Sequence, residues 1–432
     1  MNQILLVDAN MDYVKIQNHY LFRNKNLYYI ISVNMQKDVF FWEDYLILNA
    51  DIINHKNEKG ALLHYENHGK KENRLINFAN ITKNEFDYNY NDNDELNNFK
   101  NIIYDKYGLN IDMTTKIHNM YSDEFFYLCN KYKIIEKTHK NILFYVLNNN
   151  YKDDKTDVKN DFELIISLYN ENSLDRIFEL LFVFSMNLQN KNIKKIHILF
   201  ENNSTQKNTL IRTVINTILI RNKLYDKLII VNIKTKPSFT YIFNYTNQLK
   251  GNTMISNSDI VFDNTLEQIG KKLQREQIIC LSRHNWDKTM KSWNLIYMEF
   301  NGNKYTNIFS HDTWIFKSPM KFPINIDICL GDMFSDSYLN FKLTQFNNYS
   351  CFNLAKSVHA YHVQDNDSFS QIVKDNPELL NELLEKIKQK EYGNNDVLFG
   401  IRYTTINDLN NSHKNKFVSN LYFQQHTSEF LC

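Results

Sequence analysis

Glycine and proline are scarce in this chain, nine and four in 432 residues. No Gly-rich turn follows the first strand-like run of its second half, and no Lys-bearing phosphate loop occurs. Neither a dinucleotide fingerprint nor a P-loop fits, so a diphosphate ligand would need another neutralising device such as a metal. The five cysteines, Cys129, Cys280, Cys329, Cys351 and Cys432, are odd in number and none forms a close pair of the kind that clamps zinc. They read as reduced thiols in a cytosolic compartment. Charge of one sign is also lacking: 50 basic residues face 49 acidic ones, for a net +1. No strong field therefore favours nucleic acid or a membrane surface, and a polyanionic ligand must be met locally. The longest mainly apolar run, Ile177 to Phe184, falls far short of the roughly 20 residues that span a bilayer, and the first residues lack a basic region and a cleavage site. Heavy use of Asn, Lys, Ile and Tyr points to an AT-rich coding genome and weakens propensity arguments that lean on Asn.

What is present divides near residue 150. Ahead of it, strand-like runs at Ile4 to Val7 and Tyr28 to Val33 precede pieces with helical spacing around Phe40 to Asp51 and Ala61 to Arg74, with Gly69 as a helix stop. His64 and His68 lie four apart; without a third ligand at a matching spacing they read as packing and surface residues. Asp87 to Asn98 reads as a linker, residues 99 to 147 as helical, and Asn148 to Asn160 as a second polar spacer. The expected division is thus a mainly helical accessory region over 1–150 with a small module at 40–80, a catalytic domain over 160–366, and a C-terminal helix and tail over 367–432. The tail helix has Asn376 as its cap, Pro377 at its first position, and Gly393 as its stop.

From Phe162 strands alternate with helices. Strand-like runs at Leu164 to Leu168, Ile196 to Phe200, Leu228 to Val231, Thr253 to Ser256 and Ile278 to Leu281 enclose helical stretches at Leu174 to Leu188, Thr209 to Arg221, Phe239 to Leu249 and Leu266 to Leu273. This predicts an α/β fold with a mostly parallel sheet flanked by helices. Asn264 with Glu267 reads as a capping box opening the last of those helices.

Chemistry in open α/β sheets sits at strand ends. The first strand runs out at Tyr169, Asn170 and Glu171, and the second at Glu201 and Asn202, where carboxylates and amides suit a ribose and base or serve as helix caps. The fourth ends in Asn257, Ser258 and Asp259. A carboxylate with an amide two residues before it suits a hard divalent cation shared with phosphate oxygens, or merely caps and turns the chain. Arg283 suits a diphosphate or a surface ion pair. His311 and Asp312 precede the apolar run Trp314 to Phe316. Asp332 and Asp336 bracket a helix start, so that one points to the site and the other caps. His359 and His362 end a later apolar run, where an imidazole can complete an octahedral site.

In order, "ISLYNEN", "IHILFENNS", "PSFTYIFNYTNQLKGNTMISNSDIVFD", "CLSRHNWD", "FSHDTWIFK", "CLGDMFSDSYLNFKL" and "SVHAYHVQ" resemble a GT-A glycosyltransferase of the type found in giant viruses and algae, over roughly Phe162 to Gln364. The stretch "DYLILNADI … ALLHYENHGKKENR" resembles a small module found beside such domains in large-virus and bacterial surface-polysaccharide proteins. The resemblance implies a hexosyltransferase-like enzyme of glycan biosynthesis. It would move a sugar from a nucleotide-diphosphate donor to a glycan, protein or lipid acceptor, in the cytoplasm of the producing or host cell or in a virion. It implies a manganese or magnesium ion on Asn257, Asp259 and His362, with Asn257 standing where the family's Asp-x-Asp triplet has its first acid. Glu171 and Glu201 would hold the nucleoside, Arg283 the diphosphate, and Asp336 or Asp312 the acceptor hydroxyl. Two other readings remain: a non-catalytic sugar-nucleotide or glycan-binding protein of the same fold, and a nucleotidyltransferase, although "LYNENSLDR" is poor in the Gly and Lys/Arg that the latter needs.

Overall fold

The computed structural model describes residues 12–32 except 17, 18, 25 and 26; 40–78 except 56; 93–111; 122–149; 151; 162–201 except 170; 209–320 except 296, 301, 302 and 307–309; 325–332; 335–344; 349–364; and, in the tail, 399–401, 404–410 and 417–419. The strand expected at Ile4 to Val7 and the helix expected after Asn376 lie outside the described residues.

In chain order the elements are β1 (Asp12–Ile16), β2 (His19–Asn24), β3 (Leu27–Ser32), α1 (Trp42–Leu48), α2 (Glu58–His64), α3 (Asn93–Tyr107), α4 (Ser122–Lys131), α5 (Lys137–Asn148), β4 (Phe162–Leu168), α6 (Leu174–Gln189), β5 (Ile193–Glu201), α7 (Leu210–Arg221), β6 (Leu228–Ile233), α8 (Phe239–Thr246), β7 (Gly251–Ser256), β8 (Ile260–Phe262), β9 (Gln277–Leu281), β10 (His284–Asp287), β11 (Ser292–Leu295), β12 (Tyr297–Phe300), β13 (Asn303–Thr306), β14 (Thr313–Ser318), α9 (Ser335–Thr344), β15 (Ser350–Phe352) and β16 (Ala360–His362). The chain divides into two compact units that interleave in sequence. One comprises 1–95, 112–150 and 207–223, and the other 96–111, 151–206 and 224–432.

The first unit holds a three-stranded antiparallel sheet, β1-β2-β3, and a set of short helices. In the 40–80 stretch, α1 buries Tyr45, Leu46 and Ile47, and Asn57 caps α2 by accepting from the Gly60 N–H at 2.9 Å. Gly69 closes a π-helical turn over Tyr65–Gly69 and is buried. It is Gly because a Cβ there would collide with the Tyr45 hydroxyl. His64 packs with its Nδ1 2.9 Å from the Tyr45 hydroxyl, and His68 is an exposed residue beside it. The α7 stripe Ile211, Val214, Ile215, Ile218 is buried, as its spacing predicts. Buried beside it, Arg212 Nε and Asn216 Nδ2 both donate to the Ala50 carbonyl, at 3.2 and 3.1 Å.

The second unit is built on a seven-stranded mixed sheet in the order β15-β9-β14-β7-β4-β5-β6. The pairs β7-β4, β4-β5, β5-β6 and β15-β9 are parallel, while β14 runs antiparallel to both β7 and β9. One face carries Ile165, Leu199, Ile255 and Trp314 against Phe239 and Phe243 of α8 and Leu339 and Leu343 of α9. By the two-residue period, Leu164, Ile166 and Ile198, equally buried, serve the opposite face. Helix α6 buries Phe178, Leu181 and Phe182, each contributing about 1.5–3 kcal/mol. A second sheet, β11-β10-β16-β8, adjoins this body. Trp286 and Trp293 of its strands donate their indole N–H groups to the carbonyls of Asp105 and Gly108, which ties the end of α3 into this unit.

Several expectations change. Residues 93–98 of the expected linker are the first turns of α3. The stretch after β8 is only a 3-10 turn, Asn264–Gln268, and its cap is Asp263, whose Oδ1 accepts from the Thr265 N–H at 2.8 Å, instead of Asn264. The sheet is less parallel than the alternation implied. Between β9 and β14 the described residues form short strands and no helix of the kind that carries a chain back across the sheet for a parallel return.

Candidate functional site

The order of the sheet reverses between β4 and β7, its first and fourth strands in sequence. The carboxyl ends of strands flanking such a reversal form the edge where open α/β sheets bind ligands. Strands β4, β5, β7 and β9 end on this edge, and the reversed β14 begins there, because Thr313 lies opposite both Ser256 and Leu281. Asp312 is pinned between the two neighbours: its carbonyl accepts from the Asn257 N–H at 3.0 Å and its N–H donates to Leu281 at 3.2 Å. Asn257, Asp259, Arg283 and Asp312, scattered over 56 residues, therefore come to one place by register alone.

Two linked groups form there. In the first, Asn257 Nδ2 donates to Asp312 Oδ1 at 2.5 Å, and Arg283 Nη1 lies 3.5 Å from both Asp312 carboxylate oxygens. Gly331 turns the chain in the left-handed region, and a Cβ on it would lie 3.9 Å from Asn257 Oδ1. From the first turn of α9, Asp336 Oδ2 accepts the His311 N–H at 2.9 Å and Oδ1 accepts the Ser337 N–H at 2.8 Å. Burial raises the Asp336 carboxyl to about 6, with the neighbouring Asp312 adding to the rise. Asp332 turns elsewhere, accepting from the Cys329 N–H and pairing with the exposed Lys236.

The second group surrounds Asp259. The β16 strand is laid against β8 with His362 opposite Ile260, and the Val363 N–H donates to the Asp259 carbonyl at 2.9 Å. This brings His362 Nε2 to 3.3 Å from Asp259 Oδ2. The same oxygen receives Arg176 Nη2 at 2.5 Å, while Arg176 Nη1 holds the buried Glu179 at 3.0 Å. Burial works against the charge on Asp259, but His362 and Arg176 outweigh it and hold the carboxyl far below the usual carboxylate range. Asp259 Oδ1 is buried and has no hydrogen-bond partner among the described residues. A free carboxylate oxygen, an imidazole and the Asn257 amide on one turn are donors that a hard divalent cation accepts alongside phosphate oxygens, so the residues present fit such an ion.

The remaining predicted residues are less involved. Glu171 folds back, its Oε1 accepting from the N–H groups of Asn172 and Ser173 at 2.7 and 2.9 Å. Glu201 ends β5 on the same edge with no link to the others among the described residues. His359 does not join His362; its Nδ1 pairs with Asp263 Oδ2 at 3.0 Å, where Tyr361 also donates. Arg176 is the residue that sequence reading missed. Its signal was a lone cation one turn into the helix that follows the first strand, in the stretch noted above for its poverty in basic residues.

No protein-family model matches the chain, and no curated protein matches it in sequence. Among solved structures, HddC from Yersinia pseudotuberculosis is similar over 46% of this chain and 93% of its own, at 12% identity and a TM-score of 0.27. A likeness that shallow carries no argument about this chain. No described helix is long and apolar enough to cross a membrane.

Proposed function

We propose that the chain is a GT-A glycosyltransferase that moves a sugar from a nucleotide-diphosphate donor to a glycan, protein or lipid acceptor, with a divalent metal. One observation carries this reading. At the reversal edge two acidic side chains are driven in opposite directions, Asp259 toward the permanent anion and Asp336 toward a carboxyl that titrates at about 6. That separation suits one to bind and the other to exchange protons.

Asp259, His362 and Asn257 are the residues that would hold the metal, which when bound neutralises charge on the diphosphate. Arg283 meets the same phosphates as a fixed cation. Asp336 is favoured over Asp312 as the base because its carboxyl is raised to about 6, whereas Asp312 is held by the Arg283 cation and the Asn257 amide. In an inverting transfer, the acceptor hydroxyl's proton passes to Asp336 as its oxygen bonds the anomeric carbon and the bond to the diphosphate breaks. Glu171 and Glu201, at the ends of the first two strands, are left for the nucleoside.

The test is a screen of nucleotide-diphosphate sugars for release of nucleoside diphosphate, with manganese, with magnesium and with excess chelator. Release that vanishes on chelation and returns with the ion is expected. Donor binding without release in the presence of any acceptor would leave a binding module. Formation of a nucleotide sugar from a nucleoside triphosphate and a sugar phosphate would make the protein a nucleotidyltransferase.

A further inference from the structure

The carboxylate assigned to the metal already has a cation on it. Arg176 reaches from the first turn of α6 to the turn after β7, 83 residues away in sequence, and its Nη2 lies 2.5 Å from Asp259 Oδ2. Its side chain is only 21% exposed, and those of its partners Asp259 and Glu179 are 12% and 5% exposed, so solvent screens this contact weakly. The Asn257, Asp259 and His362 set contains a single formal negative charge, because Asn257 stands where an acid would double it. Arg176 neutralises that charge. A divalent ion arriving at Asp259 meets a site whose electrostatic attraction has been spent, with one oxygen shared between a guanidinium and an imidazole and only Oδ1 open.

The second nitrogen of the guanidinium makes this arrangement reversible. Nη1 stays on Glu179 whether or not Nη2 keeps Asp259, so a guanidinium released from Asp259 is not stranded in a buried site. We infer that Arg176 is a positioning residue that competes with the divalent ion for Asp259, weakening metal binding until a diphosphate donor arrives to supply the missing negative charge. This rests on the metal assignment under the proposed function and adds a consequence that it lacks: the free protein binds metal weakly, and metal and donor bind with positive cooperativity through a named residue.

The experiment measures binding of manganese alone, from the free-ion signal in electron paramagnetic resonance, to the wild-type chain, Arg176→Lys, Arg176→Gln and Arg176→Gln/Glu179→Gln, with circular dichroism to establish that each is folded. The double variant is included because Arg176→Gln alone takes the guanidinium away from the buried Glu179 carboxylate. Removing the guanidinium is expected to tighten manganese binding about tenfold or more in the double variant, while Arg176→Lys stays near the wild-type value. Adding Asp259→Asn to the double variant should abolish the gain, which locates it at this carboxylate. A nucleoside diphosphate should tighten manganese binding to the wild type more than to the double variant. Folded variants that bind manganese no better than the wild type overturn the competition and leave the metal assignment standing. Absence of manganese binding in every protein, with nucleoside diphosphate present, overturns both.

Discussion

Arg221 and Arg176 are two buried guanidiniums with the same chemistry in different settings. Arg221, in the helical unit, is met by Glu124, Glu43 and Asp44 at 2.5, 2.6 and 2.7 Å. Burial would lower its pKa, but the three carboxylates hold it well above the ordinary arginine value. Its partners sit in the first turns of α1 and α4. Arg176 binds fewer carboxylates, yet one of them is at a strand end on the edge where the sheet order reverses, beside an imidazole and a second group of polar residues. A buried ion pair is thus a poor sign of function by its chemistry alone. Its place in the sheet distinguishes an electrostatic clamp from a candidate site.

The largest effect that would sharpen this contrast is on stability. Arg221→Met should leave the buried Asp44 and Glu124 and the part-buried Glu43 without this cation and destabilise the protein by about 3–5 kcal/mol in chemical denaturation. It should leave nucleotide binding by the folded fraction unchanged. A loss of nucleotide affinity in folded Arg221→Met would erase the distinction between the two arginines.

Next is Asp336→Asn, which keeps the shape, removes the basicity and gives up one of the two backbone N–H bonds that the carboxylate accepts. Transfer should fall by about 100-fold or more while donor affinity changes little, since a base acts on the transition state. The wild-type rate should decline below about pH 6 as Asp336 is protonated. The linked stability effect has a definite sign. A carboxyl raised from 3.8 to about 6 binds its proton more tightly in the folded protein, so its contribution to stability is present below about pH 4 and is lost as pH rises through 6. The stability of the wild type relative to Asp336→Asn should therefore rise as pH falls from neutral to about 4 in thermal melts. An unchanged transfer rate would move the base to Asp312 or remove it.

The smallest effect is a control. Lys236 and Asp332 lie 2.6 Å apart, a contact as short as those of the two buried arginines, but both side chains are about two-fifths exposed. Lys236→Ala should change stability by less than about 1 kcal/mol. A loss comparable to that of Arg221→Met would show that burial is not what separates these pairs.

Much of the second unit was legible because burial leaves a local trace. The five strands read from apolar runs all lie within β4, β5, β6, β7 and β9, and the α7 stripe is buried as its spacing requires. The short strands β8, β10, β11 and β16 left no comparable trace, being three or four residues long and, except for β8, interrupted by polar residues. Gly69 was legible as a helix end, but its cause, the Tyr45 hydroxyl 24 residues away, was not.

The amino-acid sequence by itself determined which segments are buried, their helix or strand character, and which acidic and polar residues stand at strand ends, because these depend on neighbours within a turn or two along the chain. Only the tertiary structure decided that β14 runs against its neighbours and so delivers Asp312 between Asn257 and Arg283, that Asp263 draws His359 away from His362, and that Arg176 lies on Asp259. Hydrophobic periodicity records how deeply a residue is buried but not the direction of its strand or the charge that faces it. Those are set by register between strands and by pairs such as Arg221 and Glu43, 178 residues apart, which no local pattern encodes.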